Sequence, residues 1–236
     1  AGRMLDSDKI YEFTVQFGSE TDTLDLEGQV IATSDKQPTP AEVEAILARF
    51  AGPIDQVPPA YSALKVDGKR AYDLARAGET VELKSRAVTI HSLSVRPELV
   101  EGQSFSSEDK SGASTSSARA GLEGVTLIAH VSKGTYIRSL ARDIAYALGT
   151  FGHVTYLRRV KAGPFTLEQA ISLDKLNEIG KGAPLEDVIL PLEAGLDDIP
   201  ALVLSPEAVV AVRQGRVLSG MPQGDGLYWA KAGNVP

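Results

Sequence analysis

The stretch "VSKGTYIRSLARDIAYALG", residues 131–149, decides the fold because it passes from a strand pattern into an amphipathic helix. Leu140 and Ile144 are spaced to share the buried face of that helix. Arg138 stands at the junction, and a guanidinium is costly to bury without a partner. The first acidic residue after it is Asp143. We expect the partner of Arg138 to come from elsewhere in the chain or from a ligand. The alternative is a local carboxylate such as Asp143.

The composition is that of an ordinary globular protein. The 236 residues are 43% hydrophobic and 23% charged, which suffices for one large domain with a small appendage. The absence of cysteine excludes disulfides and thiolate metal sites. The three histidines do not have the spacing of a known metal motif, so no protein metal site is expected. Without a signal peptide or a membrane-length apolar run, the sequence predicts a cytoplasmic location.

Charge is unevenly distributed along the chain. The formal net charge is −7, which argues against a general nucleic-acid-binding protein. Residues 131–165 nevertheless hold six basic side chains and one acidic side chain, whereas residues 1–30 and 167–200 are acidic. This basic block is either a focused anion site or an exposed face without a ligand, and charge alone does not distinguish the two.

The pattern of elements predicts an α+β fold. "YEFTVQFG" alternates apolar and polar residues as a strand does, and "TPAEVEAILARF" has the signals of a helix start in Thr39, Pro40 and Glu42. Residues 100–120 are rich in Ser and Gly and predict a disordered loop. Strands and helices alternate without a βα repeat, which favours a mixed, mostly antiparallel sheet covered by helices. No glycine-rich nucleotide motif is present, so no nucleotide cofactor is expected.

Three segments together resemble one family: "DSDKIYEFTVQFGSETDTLDLEG", "PPAYSALKVDGKRAYDLARAG" and "KGTYIRSLARDIAYALGTFGHVTYLRRVKAGPF". In kind, order and separation they are similar to the bacterial tRNA pseudouridine-55 synthases of the TruB type. The resemblance implies the pseudouridine synthase fold. It also implies an enzyme that flips a uridine out of the tRNA T-loop and reattaches its base through carbon. An aspartate would act as the nucleophile, with no metal or cofactor.

The resemblance places that aspartate in a Gly-x-Leu-Asp-Pro-like loop upstream of the first strand. The 236 residues contain no such loop. "GRMLDSDK" imitates it, but no proline follows Asp6, and we expect Asp6 and Asp8 to be turn or solvated residues. We therefore expect this sequence to be a piece of a longer protein and to be inactive alone.

The resemblance also implies roles for residues that are present. Arg138 would pair with the nucleophile, and Tyr11 would be the active-site tyrosine. Tyr136 and Leu157 would line the uridine pocket, with Asp25 near the flipped nucleotide. Without the resemblance, Tyr11 and Leu157 would be interpreted as core residues and Asp25 as a loop cap. The cations expected to contact RNA are Lys65, Lys69, Arg70, Arg158, Arg159 and Lys161.

The resemblance predicts a catalytic domain over residues 1–198 and the start of a small, PUA-like RNA-binding domain over residues 199–236. The expected partner is the T-arm stem-loop of tRNA, without an obligate protein partner or membrane, and the expected state is a monomer. Three alternatives remain. They are a non-catalytic RNA-binding or RNA-folding module, the relative that works in a guide-RNA particle, and a plain structural protein. The last explains none of the three segments.

Overall fold

The computed structural model describes residues 2–66, 68–96, 121–182, 184, 188–196, 199–221 and 223–233. The chain forms two compact units, Ala1–Val160 and Lys161–Pro236. The segment 100–120, predicted to be a disordered loop, lies outside the described residues. The predicted domain boundary after residue 198 falls inside the second unit and remains a prediction.

The first unit is built around an antiparallel sheet. Strand β1 (Lys9–Phe17) pairs with β8 (Gly124–Val131), β8 with β7 (Arg86–Val95), and β7 with β4 (Gly52–Gln56), all antiparallel, and β9 (Gly152–Ala162) lies on the other side of β1. This arrangement confirms the predicted α+β class with a mostly antiparallel sheet. The helices and strands are α1 (Gly2–Asp6), β1 (Lys9–Phe17), β2 (Ser19–Thr21), β3 (Val30–Thr33), α2 (Pro40–Leu47), β4 (Gly52–Gln56), β5 (Lys65–Val66), β6 (Lys69–Arg70), α3 (Ala71–Arg76), β7 (Arg86–Val95), β8 (Gly124–Val131), α4 (Ile137–Ala147) and β9 (Gly152–Ala162).

The core lies where α2 and α4 cover one face of this sheet. Phe13 and Val15 alternate along β1 and are fully buried, as the strand pattern predicts. Leu140 and Ile144 of α4 are fully buried in the same cluster. Burial of each such side chain stabilises the fold by about 1.5–3 kcal/mol. The packing fixes the rotation of α4 and therefore the direction in which its first turn faces.

Helix α2 begins as the sequence predicts. The Thr39 hydroxyl accepts a hydrogen bond from the Glu42 amide at 3.3 Å, and the Glu42 carboxylate accepts one from the Thr39 amide at 2.8 Å. This reciprocal capping box satisfies two amide groups that the helix itself leaves unpaired. The signal is local, so the sequence alone was sufficient to find it.

The second unit contains short elements. The end of β9 pairs with β10 (Phe165–Thr166), and α5 (Leu173–Gly180) follows. Strand β11 (Ala201–Val203) pairs in parallel with β12 (Trp229–Lys231), with α6 (Pro206–Arg213) between them. In the part of the chain that the structure describes, no helix has both the length and the apolar character needed to cross a lipid bilayer.

Candidate active site

Arg138 lies in the first turn of α4, where a positive charge opposes the helix dipole. Strand β8 ends at Val131, and Gly134 turns the chain with a φ of 86°, a conformation that favours glycine. The amide of Tyr136, the residue before α4, donates a hydrogen bond to the side-chain oxygen of buried Gln56 at 2.7 Å. The start of α4 is thereby fixed against the end of β4. An arginine at this unfavourable helix position requires compensating acceptors.

Three acceptors satisfy Arg138. Its Nη1 atom donates to the Asp25 carboxylate at 2.9 Å and to the Thr23 carbonyl at 2.7 Å, and its Nη2 atom donates to the Tyr61 carbonyl at 2.7 Å. The Arg138 side chain is 23% exposed and that of Asp25 is 28% exposed. The expectation that Arg138 finds a partner is thus confirmed, and the carboxylate comes from a distant part of the chain.

Asp143, the local carboxylate that was the alternative partner of Arg138, is hydrogen-bonded to a different arginine. Asp143 accepts from the guanidinium of Arg142 at 2.9 Å. Burial raises the pKa of the Asp143 carboxyl above its usual value, although the Arg142 charge opposes this effect. Asp143 is therefore the partner of its immediate neighbour.

The loop between β2 and β3 holds Asp25 in place. The Thr23 hydroxyl donates to one Asp25 carboxylate oxygen at 2.6 Å, and the Glu27 amide donates to the same oxygen at 3.1 Å. The other oxygen is left for Arg138. Leu24 is buried with a φ of 63°, a conformation that costs energy for a residue with a side chain. Such strain concentrates at sites whose geometry is constrained by function.

The Arg138–Asp25 pair borders two concave surfaces. The larger has a volume of about 730 Å³ and is lined by both residues together with Tyr61, Tyr72 and Tyr136, among others. The smaller, about 420 Å³, is lined by both residues and by Tyr156 and Leu157, among others. Concave sites for small ligands commonly occupy about 300–1,000 Å³. Either surface has room for a nucleoside.

The structure brings some of the sequence-predicted site residues together. Asp25, Tyr136 and Arg138 line the larger cavity, and Leu157 shares the smaller one with Asp25 and Arg138. Tyr11 is among the lining residues of neither cavity and packs half-buried against the core. Its hydroxyl accepts a hydrogen bond from Arg159 Nε at 3.0 Å, and that guanidinium lies 5.3 Å from the ring centroid.

The predicted RNA-contacting cations fall into two groups. Lys65, Lys69 and Arg70 are exposed on the β5–β6 hairpin. Arg70 donates to the Tyr72 hydroxyl at 2.9 Å, and the Arg70 and Arg76 guanidinium groups lie 5.7 and 5.5 Å from the Tyr72 ring centroid. Because Tyr72 lines the larger cavity, this hairpin is linked to the cavity wall. The second group, exposed on β9, comprises Arg158, Arg159 and Lys161.

Sequence reasoning missed two positioning residues, Gln56 and Tyr61. Gln56 is 1% exposed at the end of β4, where no sequence pattern marks it. Tyr61 donates its hydroxyl to Asp22 at 3.2 Å in addition to accepting from Arg138 through its carbonyl. Burial raises the pKa of the Tyr61 hydroxyl, and the hydrogen bond to Asp22 adds to the effect. The two aspartates of "TDTLD" were the only local signal of this arrangement.

The fold is shared with chains of two solved complexes. The chain is similar to a chain of an H/ACA RNP bound to a substrate RNA containing 2′-deoxyuridine, with a TM-score of 0.60 and 20% identity over 98% of this chain and 57% of that chain. It is also similar to a chain of a Cbf5–Nop10–Gar1 complex, with a TM-score of 0.54 and 24% identity over 89% of this chain and 50% of that chain. At these identities the likeness concerns the fold.

The chain belongs to the TruB family of pseudouridylate synthases. Residues 1–137 match the TruB family pseudouridylate synthase N-terminal domain, and residues 138–197 match the tRNA pseudouridylate synthase B C-terminal domain. The tRNA pseudouridine synthase B of Novosphingobium aromaticivorans is 64% identical over 100% of this chain and 72% of its own length. That of Zymomonas mobilis is 52% identical over 100% of this chain and 71% of its own length.

Proposed function

We propose that this chain contributes the uridine site of an enzyme that converts a uridine in the tRNA T-loop, at position 55, into pseudouridine. The observation that carries the proposal is the Arg138–Asp25 pair, which borders two concave surfaces in a member of the TruB family. The relatives named tRNA pseudouridine synthase B support tRNA as the substrate. The reaction breaks the bond from N1 to the sugar, forms one from C5, and exchanges the C5 hydrogen for a proton on N1. It needs no co-reactant.

The nucleophile in this proposal is a carboxylate from a Gly-x-Leu-Asp-like loop that is absent from these 236 residues. Arginine has five N–H groups, and among the described residues Arg138 uses three of them, on Asp25, Thr23 and Tyr61. The remaining N–H groups can donate hydrogen bonds to a second carboxylate. A guanidinium contact stabilises the ionised form of an aspartate and so keeps it nucleophilic.

The target uridine would bind beside this ion pair after leaving the RNA stack. Tyr136 lines the larger cavity and Leu157 the smaller, and both cavities include Arg138, so a base beside Arg138 meets an aromatic ring in one cavity or a branched aliphatic side chain in the other. Aromatic contact with a base contributes about 1–3 kcal/mol. Tyr11 keeps its proposed role as the active-site tyrosine, oriented by Arg159 through the hydrogen bond to its hydroxyl.

The T-arm would be held by backbone contacts. The exposed β5–β6 hairpin and the exposed arginines of β9 supply cations for phosphates, and folded RNA is recognised largely by shape and backbone. Tyr72, flanked by two guanidinium groups, connects this basic surface to the cavity. We propose that the protein acts on tRNA in the cytoplasm as a monomer without an obligate protein partner.

One observation favours the alternative of a non-catalytic tRNA-binding module. Arg138 already has a carboxylate partner in Asp25, so the site is electrostatically satisfied without a nucleophile. In this alternative the cavities and the basic surface hold tRNA and no bond in the RNA changes.

The experiment that separates the two functions uses the natural full-length protein and a T-arm stem-loop whose uridines carry tritium at C5. Pseudouridine formation releases that tritium into water, whereas binding does not. We expect release from the stem-loop and none from a matched stem-loop with cytidine at the target position. Binding of the stem-loop without release would favour the non-catalytic module.

A further inference from the structure

Three potential metal ligands meet beside the start of β1. Asp8 precedes β1, His91 lies in β7 and His130 lies in β8. One Asp8 carboxylate oxygen, Oδ2, lies 3.2 Å from His91 Nε2 and 3.5 Å from His130 Nε2. The two imidazole rings are 4.7 Å apart between centroids, and the three ligand atoms all lie within 4.8 Å of one another.

The sheet explains why these residues meet. Strands β1, β8 and β7 are consecutive neighbours, and Ile10 of β1 faces His130 of β8. The register between β7 and β8 shifts between Ile90 and Ser92, which leaves His91 as the extra residue of a β-bulge. A bulge changes the direction of the side chain it carries. Positions 8, 91 and 130 have no metal-motif spacing, so the sequence led us to expect no metal site.

We propose that Asp8, His91 and His130 form a zinc site. In a tetrahedral zinc site the metal–ligand bonds of about 2.0–2.2 Å place neighbouring ligand atoms roughly 3.3–3.5 Å apart. The two nitrogen–oxygen distances, 3.2 and 3.5 Å, already have this length. The two nitrogens lie within 4.8 Å of each other, and zinc binding would draw them together to complete the third edge. Water takes the fourth position, as in zinc sites with three protein ligands.

Ligand chemistry and access favour zinc over the hard cations. Two imidazoles and one carboxylate suit Zn²⁺, whereas Mg²⁺ and Ca²⁺ prefer oxygen ligands alone. The three side chains are 36–45% exposed, so an ion can enter from solvent. The neighbouring carboxylate Asp6 is bonded to Lys133 and does not belong to the group.

The bound ion would act as a structural cross-link. An ion bound to these three residues joins the start of β1 to β8 and β7, and binding to the folded state alone stabilises it by mass action. None of the three lines either cavity, so the proposal does not depend on the proposed reaction.

The test uses the untagged 236-residue chain, stripped with a chelator, and Zn²⁺ as the probe in a calorimetric titration. We expect one saturable site and a higher Tm with zinc. Asp8→Asn, His91→Ala and His130→Ala should each lower zinc affinity by about 10-fold or more. The matched control is Asp6→Asn, which removes a carboxylate two positions away and should leave the affinity unchanged. Circular dichroism in chelator verifies that each variant is folded.

Imidazole NMR gives a readout that does not need a variant, because the chain has three histidines in all. Zinc should shift the ring signals of His91 and His130. It should leave in place those of His153, whose Nδ1 atom is hydrogen-bonded to the Ser19 carbonyl. Equal shifts of all three signals, absence of saturable binding, or unchanged affinity in the three ligand variants would each overturn the proposal.

Discussion

Arg138 Nη1 and Asp25 Oδ2 lie 2.9 Å apart although 113 positions separate the two residues. Helix α4 carries the arginine and the loop between β2 and β3 carries the aspartate. Their pairing connects two of the three segments that define the family resemblance. The cavity residues are arranged around this contact. Removing the contact is therefore the first test of the site.

Asp25→Asn should destabilise the chain. The substitution preserves the shape but removes the charge that faces Arg138, and the pair is only partly exposed. We expect a loss of about 1–2 kcal/mol in the free energy of unfolding, between the values for surface pairs and for charged hydrogen bonds. Urea denaturation measures it. Asp55→Asn, an exposed aspartate of β4, is the control and should change stability by less than about 0.5 kcal/mol.

Arg138→Lys should strongly reduce kcat while tRNA affinity is preserved. An ammonium is a point charge and cannot hold Asp25, two carbonyls and a nucleophile in the planar geometry of a guanidinium. In the full-length protein we expect kcat to fall by about 100-fold or more, with the Kd for tRNA nearly unchanged. Arg142→Lys on the same helix is the matched control, because Arg142 serves Asp143 and the Val57 carbonyl. A similar loss of kcat in both variants would indicate a general effect on α4.

Alanine at Lys65, Lys69 and Arg70 should weaken T-arm binding and reduce its dependence on salt. Each lost phosphate contact lowers the slope of log K against log salt by roughly 0.7–0.9. Filter binding across a salt series measures the slope. Arg49→Ala removes an exposed cation outside the hairpin and should leave the slope unchanged. An unaltered slope in the triple variant would show that the hairpin does not contact phosphates.

Stability should decline in strong alkali through Tyr146. Partial burial of the hydroxyl, followed by its 2.5 Å hydrogen bond to Glu20, raises the pKa of Tyr146 to about 12, although the residue as a whole is 48% exposed. The unfolded chain releases this proton near the ordinary tyrosine pKa of about 10, whereas the folded chain retains it. The stability that Tyr146 contributes is therefore complete below its pKa in the unfolded chain. It is lost as the pH rises from that pKa through the pKa in the folded chain.

The measurement is the free energy of unfolding across that alkaline range, together with the ultraviolet absorbance of tyrosinate. Tyr146→Phe should reduce the decline in stability and remove the last tyrosine to titrate. Tyr156→Phe, which replaces a tyrosine of β9 that is about as exposed as Tyr146, should leave the decline in stability and the last step of the absorbance curve as they are. A Tyr146→Phe curve that coincides with the wild type would contradict the assignment.

Local signals predicted the elements, whereas non-local contacts completed the site. The capping box at Thr39 and Glu42 and the alternation along β1 lie within a few residues, so sequence reasoning identified them. The partner of Arg138 depends on how α4 packs against the sheet, and no local pattern indicates that Asp25 is the residue it meets. Gln56 is a buried glutamine whose role depends on the Tyr136 amide. The position of His91 follows from a register shift that the sequence does not show.

Tyr11 illustrates the limit of resemblance. The family pattern assigns it to the active site, yet the side chain packs beside the core and bonds to Arg159 rather than lining either cavity. Its assignment stays a prediction. Tyr11→Phe in the full-length protein, with the Kd and the rate of tritium release measured together, distinguishes a proton-handling hydroxyl from a structural ring.

The central proposal is that the N–H groups of Arg138 that have no partner among the described residues bind a nucleophilic carboxylate from outside these 236 residues. The most direct measurement is tritium release from the T-arm stem-loop by the 236-residue chain alone and by the chain extended with the proposed Gly-x-Leu-Asp-like loop. We expect no release by the chain alone, release by the extended protein, and none when the loop aspartate is replaced by asparagine. Release by the 236-residue chain alone, abolished by Asp25→Asn, would contradict the account and identify Asp25 as the nucleophile.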